Sequence, residues 1–277
     1  MELKYSVLMS VYEKEKPKYF QLALESMINQ TAKPDEIVIV QDGPLPKELF
    51  DTVWGYAESY PELIRIIVSK KNIGLGLALN LGLLYCRNEL VARMDTDDIS
   101  LADRCEKQLA IFHEYSDIDI VGGDISEFFG EENSIIAYRR VPVDDNKIKA
   151  LMKKKCPLNH VSVMFKKEAV LKAGGYQNLF LNEDYYLWIR MAENGSIMAN
   201  TGTVLVNVRI GSEMYKRRGG KRYFNSEYFL QKYMYDKKLI SLNEYIFNIS
   251  IRFVVQIILP SRIRGWIFKK FAREKIE

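Results

Sequence analysis

Two acidic clusters carry the chemistry that this chain of 277 residues is equipped to do. The first, Asp95-Thr96-Asp97-Asp98, follows the strand-like run Leu90-Val91-Ala92-Arg93-Met94. Three carboxylates in four residues repel one another unless a cation or hydrogen-bond donors offset the charge. Hard oxygen ligands suit Mg²⁺ or Mn²⁺, and an ion held there can bridge to a diphosphate. The same residues also read as a helix N-cap, with Asp98 or Ser100 placed before Leu101-Ala102-Asp103-Arg104. A cap of that kind stabilises the following helix through its dipole, and both readings can hold together. The second cluster, Glu183-Asp184, opens the amphipathic run Tyr185-Tyr186-Leu187-Trp188-Ile189-Arg190-Met191. At a helix N-terminus the dipole favours ionised carboxylates, and an ionised carboxylate can serve as a general base. Without chemistry, the pair is a capping pair.

Three weaker features surround these. Lys216-Arg217-Arg218-Gly219-Gly220-Lys221-Arg222 sets five cations among two glycines, a loop able to fold over phosphates, although a solvated basic loop has the same composition. Gly74-x-Gly76 resembles half of a dinucleotide fingerprint, but Leu79 stands where the third glycine belongs. A glycine turn that starts a buried helix fits it better. Trp188 has an apolar face that can stack under a sugar, yet tryptophan in an amphipathic helix is more often core. The two histidines, His113 and His160, do not make a histidine metal site, and His160 is either a pocket residue or a satisfied one.

The elements that position these residues alternate along the first half of the chain. β-Branched runs predict strands near 5–11, 36–41, 63–68, 89–94 and 118–122, with helices at about 17–30, 46–59, 75–87 and 101–115. This is the pattern of a mostly parallel sheet covered by helices, an α/β fold. It sets Asp95–Asp98 at the C-terminal edge of a strand, where open α/β sheets gather ligands. Two antiparallel strands predicted within 124–142 make the sheet mixed, and the pattern beyond 221 is helical. A soft boundary near 215 divides a body, 1–215, from a tail, 216–277.

A hydrophobic fraction of 48% is enough for a large core and argues against disorder. Cys86, Cys105 and Cys156 are odd in number and lack C-x-x-C spacing, so neither disulfides nor zinc are expected and the compartment is read as reducing. The start of the chain shows no secretory pattern, which predicts a cytoplasmic protein. Residues 1–206 hold 24 Lys and Arg against 30 Asp and Glu, whereas residues 207–277 hold 16 against 6. An acidic body with a basic tail predicts a tail that meets something anionic. With no recognised binding motif beside the charge, nucleic acid is not the expected partner.

Six motifs in order resemble the family 2 glycosyltransferases, the inverting group with the GT-A fold, and above all the bacterial members that build capsular polysaccharides and exopolysaccharides. They are Ser6-Val7-Leu8-Met9-Ser10-Val11-Tyr12, Val40-Gln41-Asp42-Gly43, the segment from Asn72 to Asn80, Met94-Asp95-Thr96-Asp97-Asp98, Gly174-Gly175-Tyr176, and the segment from Asn182 to Arg190. The resemblance covers roughly residues 5–222 and implies that 1–215 is the catalytic domain, with 1–100 its nucleotide-sugar-binding half and 101–215 its acceptor-binding half. It implies a nucleotide-sugar donor, most simply a UDP-sugar, and a saccharide or lipid-linked acceptor. Ser10, Val11, Tyr12, Glu13, Asp42, Asn72, Gly74, Asp95, Thr96 and Asp97 are then expected at the nucleotide sugar, with Asp42 accepting from the uracil ring. Asp97 is the expected ligand of Mn²⁺ or Mg²⁺, with Asp95 on the ribose or at the metal and Asp98 behind them. Gln41 departs from the acidic or small residue usual in the family, so the pocket beside the base is expected to differ. Asp184 is the expected base and Glu183 its helper. Gly175, Tyr176 and Trp188 are the expected acceptor contacts, and Arg217 and Arg218 the phosphate contacts. Two alternatives are a nucleotidyltransferase that makes nucleotide sugars, which usually carries a Gly-rich N-terminal loop absent from residues 5–20, and a non-catalytic nucleotide-sugar-binding subunit.

The tail contributes the run Ile246 to Leu259, too short for a bilayer core, which needs about 20 residues. Asn248, Arg252 and Gln256 recur at i, i+4 and i+8 and form a polar stripe on an otherwise apolar helix. After Pro260, Ile263, Trp266, Ile267 and Phe271 repeat at helical spacing among Arg262, Arg264, Lys269, Lys270 and Arg273. These helices suit either an anionic membrane interface or packing against protein. The lipid-linked acceptor implied by the resemblance favours peripheral attachment to the inner face of a bacterial cell membrane.

Overall fold

The computed structural model describes residues 3–132, 134–211 and 218–260, together with Ile263 and the backbone of 274 and 275. Four strands, β1 (Tyr5–Val11), β2 (Glu36–Asp42), β3 (Ile64–Ser69) and β4 (Leu90–Arg93), pair in parallel in the order β4-β1-β2-β3. Nearly every residue of β1, β2 and β4 is buried, as expected of strands covered on both faces. Their crossovers are α1 (Pro17–Ile28), α2 (Lys47–Ser59) and α3 (Leu75–Leu83). Pro17 sits in the first turn of α1, where a missing N–H costs little. Alternate strand residues feed two cores. Leu8, Val38, Val40 and Val91 face α3, whereas Val7, Met9, Ile37, Ile39 and Ala92 face α1 and α2. A Cβ on Gly82 would lie 2.4 Å from Leu8 Cδ1, so α3 packs against β1 and β2 where no side chain fits.

Beyond β4 the sheet becomes mixed. The two-residue strand β5 (Ile99–Ser100) precedes α4 (Arg104–Glu114), and then come β6 (Ile118–Phe128), β7 (Ile135–Arg139), α5 (Asp145–Met152), β8 (Met164–Lys166), α6 (Lys167–Lys172), α7 (Glu183–Glu193) and β9 (Ile197–Arg209). β8 joins β4 to β6 antiparallel on both sides, β6 pairs antiparallel with β7, and the backbone of β10 (Glu274–Lys275) adds to β7. β9 runs parallel to β6 and antiparallel to β5. The expected strand around 125–129 is therefore the far end of β6, which pairs with β9 from Ile118 to Phe128 through three shifts of register. The expected N-cap at Asp98 or Ser100 is also displaced. Ser100 is strand-paired to Val206, and the helix begins at Arg104 with Asp103 at its cap position.

Two tail helices pack on this body, α8 (Lys221–Asp236) and α9 (Leu242–Phe253), the latter continued by a π-helical turn to Ile258. Leu230 and Met234 of α8 share a core with Leu187 and Met191 of α7. Asn182 Nδ2 donates to Ser226 Oγ (3.0 Å), which donates to Phe180 O (2.8 Å). α9 opens with a reciprocal capping box between Ser241 and Glu244. Its polar stripe faces the protein: Asn248 Nδ2 donates to Lys153 O (2.9 Å), and Arg252 pairs with Glu227 and donates to Lys154 O (2.7 Å). Among the described residues no helix is long and apolar enough to cross a membrane. The expected second tail helix, apart from Ile263, lies outside the described residues, as does Arg217.

Candidate active site

The parallel strands β1, β2 and β4 end at one edge of the sheet and deliver Ser10 to Tyr12, Asp42 and Asp95 to Asp98 together. Asp95, Asp97 and Asp98 each offer an oxygen within 4.8 Å of the others. Ligands on opposite sides of a Mg²⁺ ion lie about 4 Å apart, so the spacing fits a single divalent ion. The donor set, three carboxylates, is what a hard cation requires. The electrostatics agree. Burial, then the neighbouring carboxylates of Asp95 and Glu15, push Asp97 up to about 7 against the opposing pull of Arg93. Burial followed by Asp97 and Asp95 holds Asp98 well above the usual range. A divalent ion would offset this accumulated repulsion.

Each carboxylate has a different neighbourhood. Asp98 Oδ1 accepts the backbone N–H of Arg209 (2.7 Å), while Arg209 Nε donates to Asp97 O (3.1 Å) and its guanidinium lies over the rings of Tyr19 and Phe128. Asp95 pairs with Arg93, whose side chain is 1% exposed. Thr96 Oγ1 donates to Glu15 Oε2 (2.7 Å), so the acidic residue of the loop after β1 that reaches the cluster is Glu15; Glu13 is exposed. Asp42 accepts backbone N–H groups of Ile73 (2.7 Å) and Gly74 (3.0 Å), and Asn72 Oδ1 also accepts from Gly74 N (3.1 Å). Asp42 thus braces the turn at Gly74, whose φ of +87° favours glycine. Ser10 is half-buried, Val11 buried, and Tyr12 and Asn72 exposed.

Glu183 and Asp184 are the first two residues of α7, after Asn182 at the cap position. Burial raises both above the ordinary carboxylate range, with Asp184 as a further cause for Glu183. The dipole argument predicts the opposite direction, and desolvation outweighs it here. For Asp184 the backbone of Tyr185 and the cations Arg139, Arg93 and Arg218 oppose the rise. Cys156 Sγ lies 3.9 Å from Asp184 Oδ2. A Cβ on Gly76 would come 3.6 Å from Glu183 Cβ, so α3 and α7 begin side by side. A pocket of about 200 Å³ opens there, lined by residues 73–77, 178–181 and Glu183.

The expected acceptor contacts are placed differently. Gly175, Tyr176 and Trp188 are all buried, Trp188 completely, so none presents a surface on which a sugar could stack. Their work is structural. Asn80 Nδ2 donates to Tyr176 O (2.7 Å) and Asn80 Oδ1 accepts from Tyr176 N (2.8 Å). Arg190 holds the carbonyls of Ala173 and Gly175. His160 Nε2 lies 2.9 Å from the Tyr176 hydroxyl, and burial holds it well below its usual pKa, so it is a satisfied neutral histidine. Sequence reasoning missed Glu15, Arg93, Arg139 and Arg209. Arg93 left a signal, because a charged residue in a strand buried on both faces needs a partner.

Residues 6–179 match the model of glycosyl transferase family 2. The chain belongs to that family. It is 38% identical over 272 residues to the UDP-Gal:alpha-D-GlcNAc-diphosphoundecaprenol beta-1,3-galactosyltransferase of Escherichia coli, covering 98% of this chain and 97% of that one. It is 41% identical over 223 residues to the amylovoran biosynthesis glycosyltransferase AmsE of Erwinia amylovora, covering 80% and 82%. The fold of this glycosyltransferase is GT-A. The crystal structure of S. aureus TarS 1–349 with UDP-GlcNAc matches it at a TM-score of 0.64 and 16% identity, covering 97% of this chain and 76% of that one. The Pyrobaculum calidifontis mannosyltransferase PcManGT, solved with GDP-Man and Mn²⁺, matches at 0.60 and 13% identity, covering 98% and 82%.

Proposed function

We propose that this glycosyltransferase moves a sugar, with inversion, from a UDP-sugar to a lipid-linked saccharide in bacterial surface polysaccharide synthesis, acting peripherally at the inner face of the cell membrane. The observation that carries the reading is the pairing of two separated acidic sites, Asp95–Asp98 at the sheet edge and Glu183-Asp184 at the start of α7, with buried Arg93 favouring the ionised form of Asp97 and Asp184 alike. Asp184 takes the proton of the acceptor hydroxyl as that oxygen attacks the anomeric carbon, opposite the departing diphosphate. Its raised pKa makes it a stronger base than an ordinary carboxylate, and Glu183 orients the hydroxyl. Asp97 and Asp95 would hold Mn²⁺ or Mg²⁺, which supplies Lewis-acid stabilisation of the leaving diphosphate. Asp42 keeps the Gly74 turn in place beside the donor, and the segment containing Arg217 and Arg218 meets phosphate. In this reading residues 1–215 form the catalytic body and 216–277 attach it to the membrane. The names of the E. coli relative and of TarS with UDP-GlcNAc support donor and acceptor classes.

The test is a screen of UDP-sugars with a GlcNAc-diphospholipid acceptor and Mn²⁺, reading UDP release and a glycosylated lipid. Release of pyrophosphate from UTP and a sugar 1-phosphate, with no UDP from any UDP-sugar, would replace the reading with the nucleotidyltransferase one.

A further inference from the structure

α9 is mounted inside out. A helix on the surface of a water-soluble body normally turns its apolar stripe inward and its polar face to solvent. Here Asn248 and Gln256 are buried and Arg252 turns inward to Glu227, while Phe247 (63% exposed), Ile258 (59%), Ile246 (53%), Leu242, Ile251 and Val254 face out. The orientation is fastened by polar contacts. Asn248 Nδ2 donates to Gln231 Oε1 (2.9 Å) as well as to Lys153 O, and Gly220 N donates to Gln256 O (3.0 Å). Turning the apolar face inward would break all of these and leave buried polar groups unpaired. A contiguous exposed apolar face of this kind marks an interaction site.

We propose that this outward face of α9 and its π-helical extension docks on an anionic lipid bilayer, lying in the interface without crossing it. The proposal rests on the reading above that the acceptor is membrane-borne. The 17 residues from Leu242 to Ile258 extend for about 25 Å, and one side of them is committed to protein, so they cannot span. Charge selects the occupant. Residues 207–277 carry 16 cations against 6 anions, so a second copy would bring two strongly basic tails together, whereas anionic headgroups neutralise them. Apolar residues in the acyl boundary with cations at the headgroups is the arrangement of an interfacial helix.

Flotation of the full-length protein with phosphatidylglycerol-containing vesicles, and with phosphatidylcholine vesicles as the neutral arm, tests this. The wild type should float with the anionic vesicles, and Phe247→Glu/Ile251→Glu should weaken binding at least tenfold. Both positions are exposed, so the variant should keep the wild-type melting temperature and its UDP release with a short-chain soluble acceptor. Phe247→Gln/Ile251→Gln, which adds no charge, should weaken binding in the same direction. Unchanged flotation of the variants, failure of the wild type to float, or a dimer in light scattering that the substitutions split would each overturn the proposal. Vesicle binding without any transfer to lipid acceptors would instead count against the proposed acceptor and leave this surface standing.

Discussion

Asp97 offers a test in which the same substitution should destroy function and strengthen the fold. In the unfolded chain its carboxyl has an ordinary pKa near 3.8, and in the folded metal-free protein burial and its acidic neighbours raise it to about 7. A folded pKa above the unfolded one means that the native state binds the extra proton. Stability is therefore greatest below about pH 4 for this group and is lost as the pH rises through about 7. Some 3 pKa units at about 1.4 kcal/mol each give about 4 kcal/mol as an upper bound, since local relaxation offsets part of it. Asp97→Asn resembles the protonated acid at every pH. At pH 8 without metal it should raise the melting temperature by several degrees, with roughly 8–16 °C as the upper bound at roughly 2–4 °C per kcal/mol. At pH 4 the variant and wild type should melt together. Differential scanning fluorimetry across pH 4–8 in EDTA gives the answer, with Mn²⁺ and UDP added in a second series. In that series the wild type should gain stability and the variant should not. A variant that melts at or below the wild type at pH 8 would refute the claim that uncompensated repulsion at Asp97 is what a cation relieves.

The other expectations follow from single contacts. Asp184→Asn keeps shape and capping but removes the proton acceptor, so turnover should fall by roughly 10²–10⁴ with UDP affinity nearly unchanged; turnover within a few-fold of wild type would exclude it as the base. Because burial raises Asp184, the acid limb of the kcat/KM profile should lie above the ordinary aspartate range, activity falling as the pH drops through that pKa; a limb at or below the ordinary value would contradict this. Gly175→Ala places a Cβ 2.7 Å from Asn80 Oδ1 at a φ of +63°, and should cost about 1–3 kcal/mol in urea unfolding. Excess EDTA should abolish transfer and Mn²⁺ or Mg²⁺ restore it, read as UDP release; full activity in EDTA would remove the metal from the reading.

What was legible in the sequence divides by range. Strands such as Ile37-Val38-Ile39-Val40 are apolar runs between turn residues, and their parallel arrangement follows from the helices between them. The start of α4 was misplaced because Ile99-Ser100 owe their extended form to partners more than a hundred residues away on β9. Asp95 and Asp97 stood out as a cluster whose spacing reads equally as a metal site or a helix cap, and the expected role of Asp184 came only with the family resemblance. Glu15 and Arg209 did not, since only the fold brings one to Thr96 and the other to Asp98. The direction of the Asp184 shift was also misjudged, because a helix dipole is visible in sequence and burial is not. Tyr176 and Trp188 fit a sugar site by residue type, yet their rings pack edge to face in the core.

Arg209 ends β9 with its backbone on Asp98 and its side chain on the Asp97 carbonyl, and nine residues later the chain reaches Arg218, a cation that favours ionised Asp184. The acidic loop is thus fastened to the end of β9 by two hydrogen bonds from one residue. Under the proposed function this fastening sets a timetable as well as a geometry: a donor that settles Asp97 and Asp98 also settles Arg209 at the end of β9. The expected kinetic consequence is a compulsory order, nucleotide sugar before acceptor and UDP last to leave, in which the acceptor meets its base only after the sugar to be transferred is already in place.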